Sequence, residues 1–219
     1  MNEYLLLKFL HLVGFAYWLG CDLGVFYTSY VVTDERQPDA VRLVSAKILL
    51  ALDLVPRMCM TIMPALGTHL AWKMGVLPID GATVAGVWAV CIAWLGWVVA
   101  LHRGADGAGK SRLAAFDFAF RVAVAVGLVA AGTAAWLGAG RVPDWIALKY
   151  AIFGAMVAMG LLIRIRLRPF GPAFAALAAG KVTDADNRVI RASLAGTRPY
   201  VLAIWAGLLL SAALGIHLL

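Results

Sequence analysis

The apolar positions of the chain gather into six long runs, at about 4–31, 48–74, 83–101, 115–139, 144–163 and 199–219, separated by more polar connections. Each run is near the roughly 20 residues that a helix needs to cross the hydrocarbon of a bilayer. The pattern therefore predicts an all-α fold: a polytopic membrane bundle of six transmembrane helices, with residues 1–219 forming a single integral membrane domain. The longest interruption, "RPFGPAFAALAAGKVTDADNRVIRASLAGTRP", is too polar to span. It mixes apolar and basic residues around a helix-start signal, Thr183 with Asp186 three residues on. That predicts a separate helix over about 184–195 lying at the cytoplasmic interface, and the shorter "VTDERQPDAVRLVSAK" reads the same way. The opening "MNEYLLLK" holds an acidic residue, lacks a basic leader and enters an apolar run too long for a signal peptide. The first helix is expected to stay as an anchor.

Composition agrees with a membrane solvent. Of the 219 residues 63% are apolar and only 14% charged, with a mean hydropathy of +0.87, whereas soluble domains carry about 25% charged residues. Basic residues orient the bundle. Arg36, Arg42 and Lys47 follow the first run, Arg103, Lys110 and Arg112 follow the third, and seven more Lys and Arg fall in 164–198. These alternate loops are expected in the cytoplasm, with both termini on the non-cytoplasmic side of a bacterial inner membrane. The net charge of +7 then belongs to loops that meet anionic headgroups, so the partner it implies is the lipid bilayer and not a nucleic acid. Cys21, Cys59 and Cys91 all sit inside predicted helices, without a CxxC spacing, and read as free thiols.

Ionisable residues inside such runs are costly and usually face a bundle interior. In the first helix His11, Trp18, Asp22 and Ser29 fall on one stripe at 100° per residue, which should face protein. His11 and Asp22 occupy different depths. Asp22 joins Asp53, Arg57, Asp117 and Arg121 in the cytoplasmic half, where Asp and Arg four residues apart on one helix face can neutralise each other. These five residues are expected to form an interior ionic network. "LDLVPR" and "FDFAFR" open helices two and four 64 residues apart and align Trp72 with Trp136, which suggests a weak internal repeat of helix pairs.

Three of the four histidines, His11, His69 and His217, share a level near the outer interface, while His102 ends the third helix on the cytoplasmic side. Imidazoles on facing helices suit a metal or a haem iron. His69 points about 160° from Asp53 on an ideal helix, so the two face one cavity only if Pro64 kinks the helix or two of its sides are buried. Lys8, Lys73, Arg141 and Lys149 lie at the outer level against the positive-inside trend. Something acidic can hold them there: haem propionates, lipid phosphate, or Asp80 and Asp144. The segment "PRMCMTIMP" offers Met60, Met63 and Cys59 as soft ligands for copper, or equally as plastic packing. No signature of hydrolysis or nucleotide chemistry is present.

Several stretches resemble the CopD-like superfamily, which includes CopD copper-resistance proteins and HemJ-type membrane protoporphyrinogen oxidases. They are "LLLKFLHLVGFAYWLG" in helix one, "RMCMTIMPALG" in helix two, "DWIALKYAIFGAMVAMGLLI" in helix five and "TRPYVLAIWAGLL" in the last helix. The resemblance implies that His11 binds haem b and that Lys149, following Trp145, is functionally required. The family core has four helices where this chain has six, and the histidine usual near the end of the third family helix is replaced around "IRIRLRP".

The leading expectation is a haem b-binding membrane redox protein. It would serve electron transfer or the oxidation of a membrane-soluble donor, linked to quinone or resembling porphyrinogen oxidation. His11 would ligate iron, His69 or else His217 would supply a second ligand, and Lys149, Lys73 or Arg141 would meet propionates. Copper transport through the outer histidines and Met60, Met63 and Cys59 is the alternative, and a non-catalytic membrane subunit the third. A redox partner and a homo-oligomer are compatible with each.

Overall fold

The computed structural model describes residues 2–104, 108–139 and 142–218. Among the described residues the regular structure is all helical: α1 (Glu3–Thr33), α2 (Asp39–Lys73), α3 (Gly81–Arg103), α4 (Ala108–Ala134), α5 (Asp144–Arg166), α6 (Phe170–Ala178) and α7 (Asp184–Gly215). A π-helical turn, Ala135–Ala139, prolongs α4 and contains Gly138 at φ 92°, a left-handed backbone that favours glycine. All but the short α6 are long and apolar enough to cross a membrane, which is the six-span bundle the hydrophobic pattern predicts. An even number of spans puts both ends of the chain on one face, here called the terminal face; the opposite face carries most of the basic residues.

Two boundaries differ from expectation. α2 starts at Asp39, well before its apolar run, and α7 runs unbroken from Asp184 through Pro199. The separate interfacial helix expected over 184–195 is therefore the beginning of the last span. Its start is where the sequence signalled it: the Thr183 hydroxyl accepts from Asp186 N–H at 3.2 Å while the Asp186 carboxylate accepts from Thr183 N–H at 2.9 Å. Its apolar face, however, meets protein. Ile190 and Leu194 pack with Phe170, Ala173 and Leu177 of α6 and with Val32, Ala46 and Leu49, forming a second core at the basic face. At 1.5 Å per residue, α2 and α7 are about 52 and 48 Å long, beyond the roughly 30 Å of hydrocarbon. Their surplus length builds this cap.

Arg42 ties the cap together and is 98% hidden from solvent (2% exposed). It donates to the Val32 carbonyl at the end of α1 (3.1 Å), to Asp39 (3.2 Å) and to Asn187 on α7 (2.8 Å). A loop arginine in the charge pattern thus satisfies an orphan helix-end carbonyl.

Within the membrane α1 packs on α2, and α5 packs on both α4 and α7, while α3 flanks α2. The α4–α5 contact depends on glycine. A Cβ on Gly132 would lie 2.5 Å from the Ala147 carbonyl oxygen, and one on Gly154 would lie 2.8 Å from that of Ala125. Each helix places a glycine against the backbone of the other, the small-residue approach that lets membrane helices pack closely. Helices α1, α2, α5 and α7, with Leu128 of α4, line a cavity near the terminal face, leaving α3 on the flank.

Candidate functional site

The cavity has a volume of about 320 Å³. Its walls are mainly apolar, built from Leu12, Phe15, Trp18, Met63, Phe153 and Leu208 among others. Polar groups are few and placed at separate points: Lys8, His11, Thr68, Lys149, Tyr150 and Ser211. Tyr150 and Thr68 satisfy each other through a hydroxyl–hydroxyl bond of 3.1 Å. His11 does not find such a partner, because its Nδ1 is buried without a hydrogen bond. A buried polar atom left unpaired is expensive and uncommon in native proteins.

Local sequence explains how His11 comes to lie here. It stands on the predicted stripe with Trp18, Asp22 and Ser29, and those three are buried in protein. Its ring fits beside Gly67 of α2, where a Cβ would sit 3.4 Å from Cε1. Lys149 lines the same cavity from α5. The Lys149 ammonium lies 5.2 Å from the Trp145 ring and against Gly215 in the last turn of α7. Among the described residues neither Lys149 nor Lys8 has a carboxylate within ion-pair distance.

The other histidines do not join this site. His69 turns toward α3 and the start of α1: its Nδ1 accepts from Trp88 Nε1–H at 3.3 Å, and its Nε2 lies 3.3 Å from Glu3. Lys73 goes with it, pairing with Glu3 at 2.6 Å over the Trp72 ring. The two expected haem contacts on α2 are thus occupied with each other's neighbours, on the far side of the helix from Gly67 and Thr68. Pro64 lines the cavity within a helix that continues past it, so it does not swing His69 inward. His217 lies beyond the last turn of α7, exposed, with its ring edge-on to Trp145 at 5.3 Å. His102 is exposed at the end of α3, as the sequence suggested. Arg141 lies outside the described residues. Asp80 and Asp144 begin helices instead of holding lysines, Asp80 by accepting from Thr83 N–H at 2.8 Å.

The soft-ligand segment also divides. Met63 lines the cavity against Gly14, whereas the Met60 sulfur receives Arg121 Nη1 at 3.5 Å. Cys59 is half-buried among partly buried apolar neighbours. Among the described residues, no group of three or more His, Cys, Asp or Glu is placed to hold a metal ion.

The ionic residues cluster nearer the basic face, around Asp117. This carboxylate accepts from Trp97 Nε1–H (2.9 Å), Arg121 Nε (2.9 Å) and Arg164 Nη1 (2.6 Å). Asp53 and Arg57 form their own pair, with Arg57 half exposed. Asp22 is buried and accepts from Trp205 Nε1–H at 3.3 Å, with Asp53 and Arg57 as its electrostatic neighbours. The five expected residues therefore fall in two clusters, Asp117 with Arg121, both buried, and the buried Asp22 with the more exposed pair Asp53 and Arg57. Sequence reasoning missed Arg164, which it counted among loop cations, and Trp97, which carries no charge to mark it. The repeat-related pairs Asp53–Arg57 and Asp117–Arg121 both form, yet in unequal surroundings.

No family model, curated protein or solved structure matches this chain.

Proposed function

We infer that this chain is a haem b-binding redox protein of a bacterial inner membrane, serving electron transfer or the oxidation of a membrane-soluble donor. The observation that carries the reading is a histidine, His11, on the wall of an apolar cavity, with no hydrogen bond to its buried Nδ1. Neutral imidazole is a good iron ligand, and His11 would coordinate through the ring nitrogen that reaches the cavity. The residues present fit the group. The cavity, at about 320 Å³, lies at the lower end of the roughly 300–1,000 Å³ of small-molecule sites. Lys149 and Lys8 offer two cations to two propionates, and the aromatic and aliphatic walls exclude water. Support also comes from the stretches that resemble the CopD-like superfamily, since they lie in α1, α2, α5 and α7, the helices that supply most of the cavity lining.

When bound, haem supplies the one-electron chemistry. The protein's part is to hold the iron through His11, to orient the ring by its carboxylates, and to keep the site dry. Tyr150 and Thr68 hydrogen-bond to each other on the cavity wall. A quinone or a partner protein would take the electron.

The deciding measurement is the absorption spectrum of the purified protein, as expressed and after hemin addition. A Soret band that His11→Ala abolishes, with helix content unchanged by circular dichroism, supports the assignment. A colourless protein that does not take up hemin ends it, and stoichiometric copper in that sample moves the assignment to copper handling.

A further inference from the structure

Along one side of the cavity α1 and α7 change partners along their length. Toward the basic face α1 and α7 are tied together by Asp22 with Trp205 (3.3 Å), by Phe26 against the Trp205 ring (5.0 Å) and by Arg198, 3.6 Å over Tyr30. Toward the terminal face each helix turns to another partner. There α1 leans on α2, through Gly14 at Met63, His11 at Gly67, and Glu3 with Lys73. α7 leans on α5, through Gly207 at Met156, Gly215 at Lys149, and His217 at Trp145. The cavity lies where the two helices part. α1 contributes Lys8 and Leu12 to it, and α7 contributes Ser211, Ala212 and Ile216.

Leu12 decides what this gap faces. It lines the cavity yet is 55% exposed. Counted from Asn2 it stands about 15 Å along the helix axis, within the hydrocarbon. At that depth the part of Leu12 that faces away from the cavity would meet lipid tails, so the cavity and the bilayer come close beside it.

We propose that the cavity opens sideways into the leaflet nearest the termini, between α1 and α7, and that its occupant, an apolar amphiphile bearing carboxylate, arrives through this gap from the membrane. Charge sets the order of contact. Lys8, exposed at the threshold, meets the carboxylate first, and Lys149, less exposed, receives it; among the described residues neither lysine has a protein carboxylate to release. The aliphatic and aromatic walls then take the apolar body. Haem b is an amphiphile of this class, and in naming it the inference rests on the functional reading above; a long-chain carboxylate shares the same chemistry.

The test uses the full chain in lipid nanodiscs, with Cys21, Cys59 and Cys91 replaced by Ala and with Leu12→Cys and Ala212→Cys joined by a reducible bis-methanethiosulfonate linker. Hemin uptake is followed by the Soret band and uptake of a doxyl-labelled stearate by spin resonance. Lateral access predicts that the linker slows uptake by about tenfold or more, that linking after loading leaves the probe bound, and that thiol reduction restores the rate in the same sample. Uptake of either probe at the unlinked rate overturns the opening. Stearate uptake slowed by the linker, with no Soret band in any sample, keeps the opening and removes haem. Hemin uptake at an unchanged rate keeps haem and removes the opening. If the unlinked protein binds neither probe, both fall.

Discussion

Arg164, in the last turns of α5, donates to Asp117 of α4 at 2.6 Å, on the same carboxylate oxygen that accepts from Arg121 at 2.9 Å. Asp117 is 1% exposed, and it is the anion that lets two guanidinium groups lie near each other at the edge of the membrane core. Removing one member of a buried pair leaves the remaining charge unpaired, which typically costs about 3–5 kcal/mol. Arg164 reaches water and recovers part of its solvation, whereas Arg121 is buried against Trp94. Asp117→Ala is therefore expected to destabilise the bundle by about 3 kcal/mol. Arg164→Ala should cost less. Denaturation in mixed micelles measures both, and an Asp117→Ala midpoint equal to that of the parent protein contradicts this account.

Gly132 and Gly154 make a second prediction. Added methyl groups would meet backbone atoms at 2.5 and 2.8 Å, and backbone cannot turn aside as a flexible side chain can. Overpacking of this kind typically costs about 1–3 kcal/mol. Gly154→Ala should lower the thermal midpoint of the protein in detergent, while Gly127→Ala, with nothing within 4 Å of its Cβ position, should leave it in place. Equal midpoints for the two variants would show that the α4–α5 approach is looser than described.

His69 has both ring nitrogens engaged, by Trp88 and Glu3, away from the cavity. The expected result of His69→Ala is an intact Soret band in the hemin-loaded protein. The cost should instead be about 1 kcal/mol of stability, the usual net worth of a hydrogen bond. Loss of the band in His69→Ala, with His11 in place, would return His69 to the role of iron ligand that its level in the sequence suggested.

A pH-dependent contact lies in the loop after α1. The Asp34 carboxylate accepts from the Arg36 side chain at 2.9 and 3.1 Å, and that pairing holds its pKa at about 2, below the ordinary 3.8. A depressed carboxylate pKa favours the folded loop above the unfolded value, and the contribution is lost as pH falls from about 4 through about 2. Arg36→Ala should raise the midpoint toward 3.8, read from the carboxyl carbon shift of labelled aspartate. A midpoint that stays near 2 would mean that Arg36 is not its cause.

The contrast between His11 and His69 shows how far one dimension reaches. Both stand at one depth in the sequence, because depth follows from residue count along a helix of known rise. Which way each ring turns depends on the neighbouring helices, and helix order around a bundle leaves no mark on hydrophobic runs bathed in lipid on one side and protein on the other. The stripe of α1 was readable because His11, Trp18, Asp22 and Ser29 repeat on one face, and polar atoms in hydrocarbon must turn inward. Arg164 and Arg42 were hidden for the opposite reason. In a basic run each arginine looks solvated, and only its packing shows that one holds Asp117 and the other the end of α1.

By itself the sequence determined the six spans, the common face of the two termini, the start at Thr183 and the lone imidazole deep in α1. Those features follow from local physics: the thickness of hydrocarbon, the rise of a helix, and the cost of an unpaired polar group in an apolar solvent. The tertiary structure alone decided that α1, α2, α5 and α7 supply most of the cavity lining, that Lys149 and not Lys73 shares it with His11, and that the first turns of α7 pack against α6 instead of lying on lipid. These are contacts between segments distant in the chain. They are fixed by which small and large side chains fit together, as where the His11 ring rests beside Gly67.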